Sequence, residues 1–185
     1  MSRQFQEAYT FGLIGESLIS RWLQGRGHMV MPAYQNEMGT GKGPQLYSAR
    51  GDLVLPDMLV FNDTEVIWAE AKHKSSWTWH RLTQRWTTGI CLRHYSHYGQ
   101  VSAQTKKPVW LMFWHPSSQP ASEDLRRGCP ATCPAGLFGG DLAVLNGRES
   151  HRSEKWGHHG MVYWAQQSLR LIASVDDVYA TRAAA

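Results

Sequence analysis

Residues 55 to 74, LPDMLVFNDTEVIWAEAKHK, place charges at the ends of two apolar runs, where charges are costly. The first run opens on Pro56-Asp57; the second, twelve residues on, closes on Glu70-Ala71-Lys72. A buried carboxylate or ammonium is tolerated only when it is paired, hydrogen-bonded or bound to a metal. In a strand, side chains alternate between faces, so Glu70 and Lys72 share one face with Trp68 before them. The turn-forming cluster NDTE joins the two runs as an antiparallel hairpin, which brings Asp57 toward Glu70 near one end of the sheet. Two carboxylates, with the backbone carbonyl of Ala71 between Glu70 and Lys72, form an all-oxygen donor set. Such a set suits Mg²⁺, with Mn²⁺ as a substitute. Lys72 adds a positive charge able to face a phosphate or orient a water.

Other elements must hold this hairpin. Phe11, Ile14, Leu18 and Trp22 recur at helical spacing, which predicts a helix over residues 3 to about 25, closed by Gly25 and Gly27. HMVMPAY reads as a strand, and QNEMGTGKGPQLYSARGD as a glycine-rich surface loop. Strands are expected over 53–61 and 65–72, a helix from about Ile90 to Thr105, and a strand at PVWLMFWH. That order predicts an α/β fold whose central mixed sheet is flanked by helices. From Pro116 to Pro134 the composition shifts to Pro, Ser, Gly and charge. The chain therefore divides into a core over 1–116 and, over 117–185, a linker with a β-rich extension packed on the same domain. GLFGGDLAVL and MVYWAQQSLRLIAS read as its strands.

The length of 185 residues allows a sizeable core, and 42% apolar with 18% charged residues is ordinary for a globular chain. A net charge of +4 is compatible with a phosphate-bearing partner, and some of the nine tryptophans could stack on bases. No run reaches the roughly 18 apolar residues of a membrane span, so no membrane role is expected. The N-terminal segment does not read as a signal peptide. Cys91, Cys129 and Cys133 form no disulfide framework, and a reducing cytoplasm is the expected location.

Pro56-Asp57 and Glu70-Ala71-Lys72 on adjacent strands resemble the PD-(D/E)XK nuclease superfamily, the fold of restriction endonucleases and archaeal-type Holliday-junction resolvases. FGLIGESLISRWLQGRGHMV resembles the first helix of that family, and Glu16 matches its metal-directed glutamate. TTGICLRHYSHYGQVSAQTKKPVWLMFWH resembles the helix and strand that follow the active strand. The likeness spans roughly residues 5 to 115. It implies a restriction endonuclease-like fold and Mg²⁺-dependent hydrolysis of DNA phosphodiesters. Asp57, Glu70 and the Ala71 carbonyl would hold the ion, Glu16 would join directly or through water, and Lys72 would position the attacking water. Lys42, Lys74, Arg93, Tyr95 and Tyr98 are the candidates for gripping DNA. Asp52 is a rival for the first aspartate, although Asp57 fits the hairpin better.

MGTGKGP is not a phosphate-binding loop, because Asn36 stands where glycine is needed and Gly43 where Ser or Thr is needed. Cys129 and Cys133, with His151, His158 and His159 downstream, make a weaker zinc reading than free thiols. Three cysteines exclude the family's four-cysteine iron–sulfur subtype. The expectation is a cytoplasmic DNA endonuclease, structure-selective in recombination or repair, of phage or mobile-element type. A homodimer is compatible with it. The alternatives are a non-catalytic nucleic-acid-binding module and a subunit of a larger nuclease complex.

Overall fold

Helix α1 (Arg3–Gly25) opens the computed structural model, which describes residues 3–33, 44–49, 51–157 and 159–183. Leu18, Ile19, Trp22 and Leu23 bury the second half of its apolar face, whereas Phe11, Leu13 and Ile14 remain exposed. Strands β1 (Met29–Pro32), β2 (Gln45–Leu46), β3 (Leu53–Val54), β4 (Met58–Phe61) and β5 (Val66–His73) follow. Next come β6 (Thr78–His80), β7 (Arg85–Cys91), helix α2 (Leu92–Thr105) and β8 (Val109–His115). The last third holds helix α3 (Ser122–Arg126), β9 (Gly136–Asp141), helix α4 (Leu142–Asn146), β10 (Glu149–Ser153), β11 (Met161–Ala165), β12 (Arg170–Ala173) and helix α5 (Val175–Ala183). No helix among the described residues is long and apolar enough to cross a membrane.

The central sheet has six strands in the order β1-β4-β5-β8-β9-β12. Only β5 and β8 in it run parallel; the other neighbours are antiparallel. This is the mixed sheet flanked by helices that the sequence predicts. Chain beyond Pro116 returns to it as β9 and β12. A second sheet, β10-β11-β7-β6, and a ribbon of β2 with β3 complete the strands among the described residues.

Alternation along β5 divides the core. Ala69 and Ala71 pack with Leu18, Ile19 and Trp22 of α1 and with Met112 and Trp114 of β8. Trp68 belongs to the opposite core, with Leu111 and Phe113 of β8, Tyr98 and Val101 of α2, and Ile90, Val162 and Trp164 of the second sheet. Each fully buried large apolar side chain contributes about 1.5–3 kcal/mol, so β5 is anchored from both sides. Small alanines on one face let α1 lie close. Glu70 and Lys72 must therefore point to the α2 side.

Several elements differ from the sequence expectation. The strand expected over 53–61 is two pieces, because Pro56 cannot continue a ladder and β3 pairs instead with β2. RWTTGIC is strand β7 and the helix begins only at Leu92, since Thr87, Thr88 and Ile90 are buried in the second sheet. Asp141 ends β9 by accepting the Ala143 N–H and capping α4, so DLAVL is helical rather than extended. Gln166–Ser168 forms a 3₁₀ turn between β11 and β12. Ser174 and Asp177 hydrogen-bond reciprocally as a capping box and start α5, so the extension is not purely β.

Candidate active site

The β4–β5 register pairs Met58 with Ala69, which sets Asp57 opposite Glu70 one step on. Pairing stops there, and the Ala71 N–H donates to Asp57 Oδ2 at 2.8 Å. In an antiparallel ladder a residue's N–H and C=O face the same neighbour, so the Ala71 carbonyl is directed to the same edge. Pro56, which would stand opposite if the register continued, has no N–H to donate to it. Glu70 is fully buried and forms an ion pair with Lys72, whose side chain keeps 28% exposure. The Tyr98 side chain is also buried against Glu70. The charges that looked costly in the sequence are thus compensated by one ion pair and one backbone N–H.

Burial pushes the Asp57 carboxyl up to about 7, reinforced by repulsion from Glu70 and opposed by Lys72 and the Ala71 N–H. Burial pulls Lys72 down, but the carboxylates of Glu70 and Asp57 outweigh it and hold the ammonium above its ordinary value. Lys72 is therefore a fixed positive charge at neutral pH. Glu16 is raised by burial and by Asp57, with Lys72 opposing. Tyr98 is likewise raised by burial and then by Glu70 and Asp57. The electrostatic partners of each group are the others of the set, although they come from α1, β4, β5 and α2.

Glu16 reaches this neighbourhood because α1 nearly touches β5. A Cβ added to Gly15 would stand 2.5 Å from His73 Cβ, so only glycine permits the approach. Phe11 stacks on His73, with ring centroids 3.7 Å apart, and the His73 Nδ1–H donates to the Phe11 carbonyl at 2.8 Å. Glu16 and Asp57 then line one cleft of about 260 Å³ between α1 and the start of β4, with Ser17, Ser20, Arg21 and Pro32 around it. Glu70 lies outside that lining. No three His, Cys, Asp or Glu side chains among the described residues gather closely enough to hold one ion. The donors present are the carboxylates of Asp57 and Glu70 and the carbonyl edge of Ala71. They fit a hard cation by chemistry, and Glu16 stands back across the cleft.

Comparison with known proteins finds no matching family model and no matching curated protein. Two solved structures are similar. Hjc, a Holliday junction resolvase of the archaeal hyperthermophile Archaeoglobus fulgidus, is 9% identical, with 85% of this chain and 90% of that one covered and a TM-score of 0.49. A nuclease from a fusellovirus is also 9% identical, with 99% of this chain and 94% of that one covered and a TM-score of 0.38.

The residues expected to grip DNA are scattered. Arg93 is exposed on the first turn of α2. Lys74 is turned inward: its Nζ donates to the Gly89 carbonyl at 2.8 Å, and burial, then Lys72, lowers it to about 8. The Tyr95 hydroxyl donates to Glu149 Oε1 at 2.6 Å, and its ring edge meets Trp164, so it ties α2 to the second sheet. Tyr98 is 1% exposed and presents no face to a base, because α2 turns it into the core against Glu70. Lys42 lies outside the described residues. Asp52, the rival aspartate, is exposed ahead of β3, remote in role from the paired charges.

His94 was missed by sequence reasoning. It lies one helical turn before Tyr98, with the two rings 5.6 Å apart, and burial followed by the Lys72 charge lowers it to about 4. The i, i+4 spacing of His94 and Tyr98 on a helix packed over β5 was the available signal. Cys129 and Cys133 are free thiols; the Cys133 thiol contacts the Ser117 carbonyl, and His151 is stacked elsewhere, on Tyr163.

Proposed function

We propose that the chain is a metal-dependent DNA endonuclease that hydrolyses phosphodiester bonds, structure-selective in recombination or repair. The observation that carries this reading is Glu70: a fully buried carboxylate paired with Lys72, beside a second carboxylate, Asp57, whose carboxyl is pushed up to about 7. A purely structural ion pair needs no second carboxylate buried beside it. Asp57, Glu70 and the Ala71 carbonyl would hold Mg²⁺ or Mn²⁺, with Glu16 contributing from across the cleft through water. Bound there, such an ion supplies Lewis acidity toward a phosphoryl oxygen and lowers the pKa of water. Lys72 stays protonated and offsets negative charge that develops on the phosphate. Tyr98 is buried against Glu70, and His94, neutral at pH 7, lies beside Tyr98. Free thiols and the lack of a long apolar helix among the described residues are compatible with a cytoplasmic enzyme, and a homodimer is compatible with a two-cut reaction.

The test is a cleavage titration on duplex, single-stranded, flapped and four-way-junction DNA with EDTA, Ca²⁺, Mg²⁺ and Mn²⁺ in turn. Cleavage is expected with Mg²⁺ and Mn²⁺, and binding without cleavage with Ca²⁺, whose longer bonds and looser geometry hold the reactants less well. Full cleavage in EDTA sinks the mechanism.

A further inference from the structure

The second sheet carries a site of its own. Strands β6 and β10 stand at its opposite edges, yet His80 of β6 stacks on His151 of β10 with centroids 3.9 Å apart and planes 10° from parallel. The sheet is therefore curled, and its concave side forms a groove of about 1100 Å³. His151 stacks in turn on Tyr163, centroids 4.5 Å apart and planes 4° from parallel. Three parallel rings thus form a ladder within the groove. Tyr163 lies over Gly89 of β7, where an added Cβ would come within 2.9 Å of the ring. Trp156, 66% exposed, stands on the groove with Leu82, 91% exposed at the β6–β7 turn.

The charges are one-sided. Four arginine or lysine side chains line the groove against two carboxylates. Glu123 is paired with Arg127, and Asp124 is buried and accepts the Trp79 N–H. Arg81 and Lys155 make no ion pair among the described residues and remain available. A ring ladder that ends on an imidazole face, an exposed indole and unpaired cations are the combination that holds unpaired nucleotides: bases on π-faces, phosphates on cations. A duplex buries its base faces and cannot use such a ladder. Strand β7 links the two sites: Gly89, beneath Tyr163, accepts the hydrogen bond of Lys74, which follows the active strand.

We propose that this groove holds an unpaired, single-stranded stretch of the DNA substrate, its bases stacked on the outer face of His80 at the end of the ladder and on Trp156, and its phosphates on Arg81 and Lys155. The substrate class rests on the DNA reading of the active site; the stacking mode does not. It gives structure selectivity a physical source, because only a flap, bulge or opened junction offers bare bases.

The experiment is fluorescence anisotropy of the full chain in EDTA with labelled oligothymidylate and with a blunt duplex of equal length. Trp156→Ala and the double variant Arg81→Ala/Lys155→Ala are compared with wild type, and all sites are surface-exposed. Wild type is expected to bind the single strand more tightly than the duplex. Trp156→Ala should weaken strand binding by about fivefold or more, the size of one lost base stack. The double variant should lower the slope of log affinity against log salt by about 1.4, at about 0.7 per phosphate contact. Strand binding unchanged in both variants, or duplex held as tightly as strand, overturns the proposal. Strand binding lost in the variants while wild type cuts nothing in Mg²⁺ sinks the catalytic reading and leaves this one standing. Cleavage in Mg²⁺ by variants that bind strand like wild type does the reverse.

Discussion

Strands β5 and β8 lie side by side, parallel, and both bury polar groups toward the same end, yet they do so by opposite means. At β5 two carboxylates and an ammonium meet, and the ammonium remains charged by virtue of its neighbours. At β8 the fully buried His115 stacks on Trp77, centroids 4.0 Å apart, and neither ring nitrogen has a hydrogen-bond partner among the described residues. Burial, helped by Lys74 and His73, lowers it to about 3, so it stays neutral. One strand end retains charge at a cost and the other discards it. A group kept charged against desolvation is what chemistry needs, whereas a neutralised group serves packing.

The largest break in that contrast comes from removing the charges. Glu70→Ala and Lys72→Ala should each abolish cleavage, by about 10²-fold or more, while DNA affinity stays within a few-fold. Gel-based cleavage beside a binding isotherm checks this, and near-wild-type cutting by either variant rejects the assignment.

The two ends should also respond to pH with opposite sign. An unfolded Asp57 ionises near 3.8 but the folded one only near 7. Its contribution to stability is complete below 3.8 and is lost as pH rises to 7. Asp57→Asn should flatten that decline and melt higher than wild type at pH 8 in EDTA, by about 2–4 °C for each kcal/mol recovered. His115 runs the other way: its unfolded value is 6.5 and its folded value about 3, so its contribution is complete above 6.5 and lost as pH falls toward 3. His115→Phe should flatten the acid limb and leave cleavage at pH 7.5 unchanged. Melting curves from pH 4 to 8 read both; parallel curves for variant and wild type contradict the contrast.

The smallest effect belongs to a site set apart from both ends. Cys129→Ser with Cys133→Ser should leave fold and cleavage largely intact, with a loss within about 1 kcal/mol, since Cys133 packs as a small buried side chain. Stoichiometric zinc in the wild type, lost in this variant along with the melting transition, contradicts it.

The central sheet was readable because its strands carry the alternation and turn signals that local rules recognise: Glu70 and Lys72 one face, Ala69 and Ala71 the other, NDTE between. Of the second sheet only β11, in MVYWA, was. RWTTGIC is short, buried without alternation from Trp86 to Ile90, and its pairing with β11 spans about seventy residues, so no local pattern marks it. Of the site, the pairing of Asp57 with Glu70 follows from hairpin register. That Tyr98 turns inward while Arg93 stays outside depends on how α2 rolls against β5, which packing decides. His80 and His151 are seventy-one positions apart and meet only through the curl of a sheet. The Ser174–Asp177 cap, by contrast, was in the sequence and went unread.

The place of β5 between β4 and β8 carries a consequence for synthesis. As the chain emerges, β1, β4 and β5 are complete about forty residues before β8, so β5 is for that interval an edge strand with open N–H and C=O groups. Val66, Ile67 and Trp68 make it a template for sticking to another copy. Glu70 and Lys72, inward-pointing charges on that strand, act as gatekeepers against such pairing. Replacing them together with apolar residues of similar size would relieve the folded protein of its buried charges and leave its nascent chain prone to aggregate.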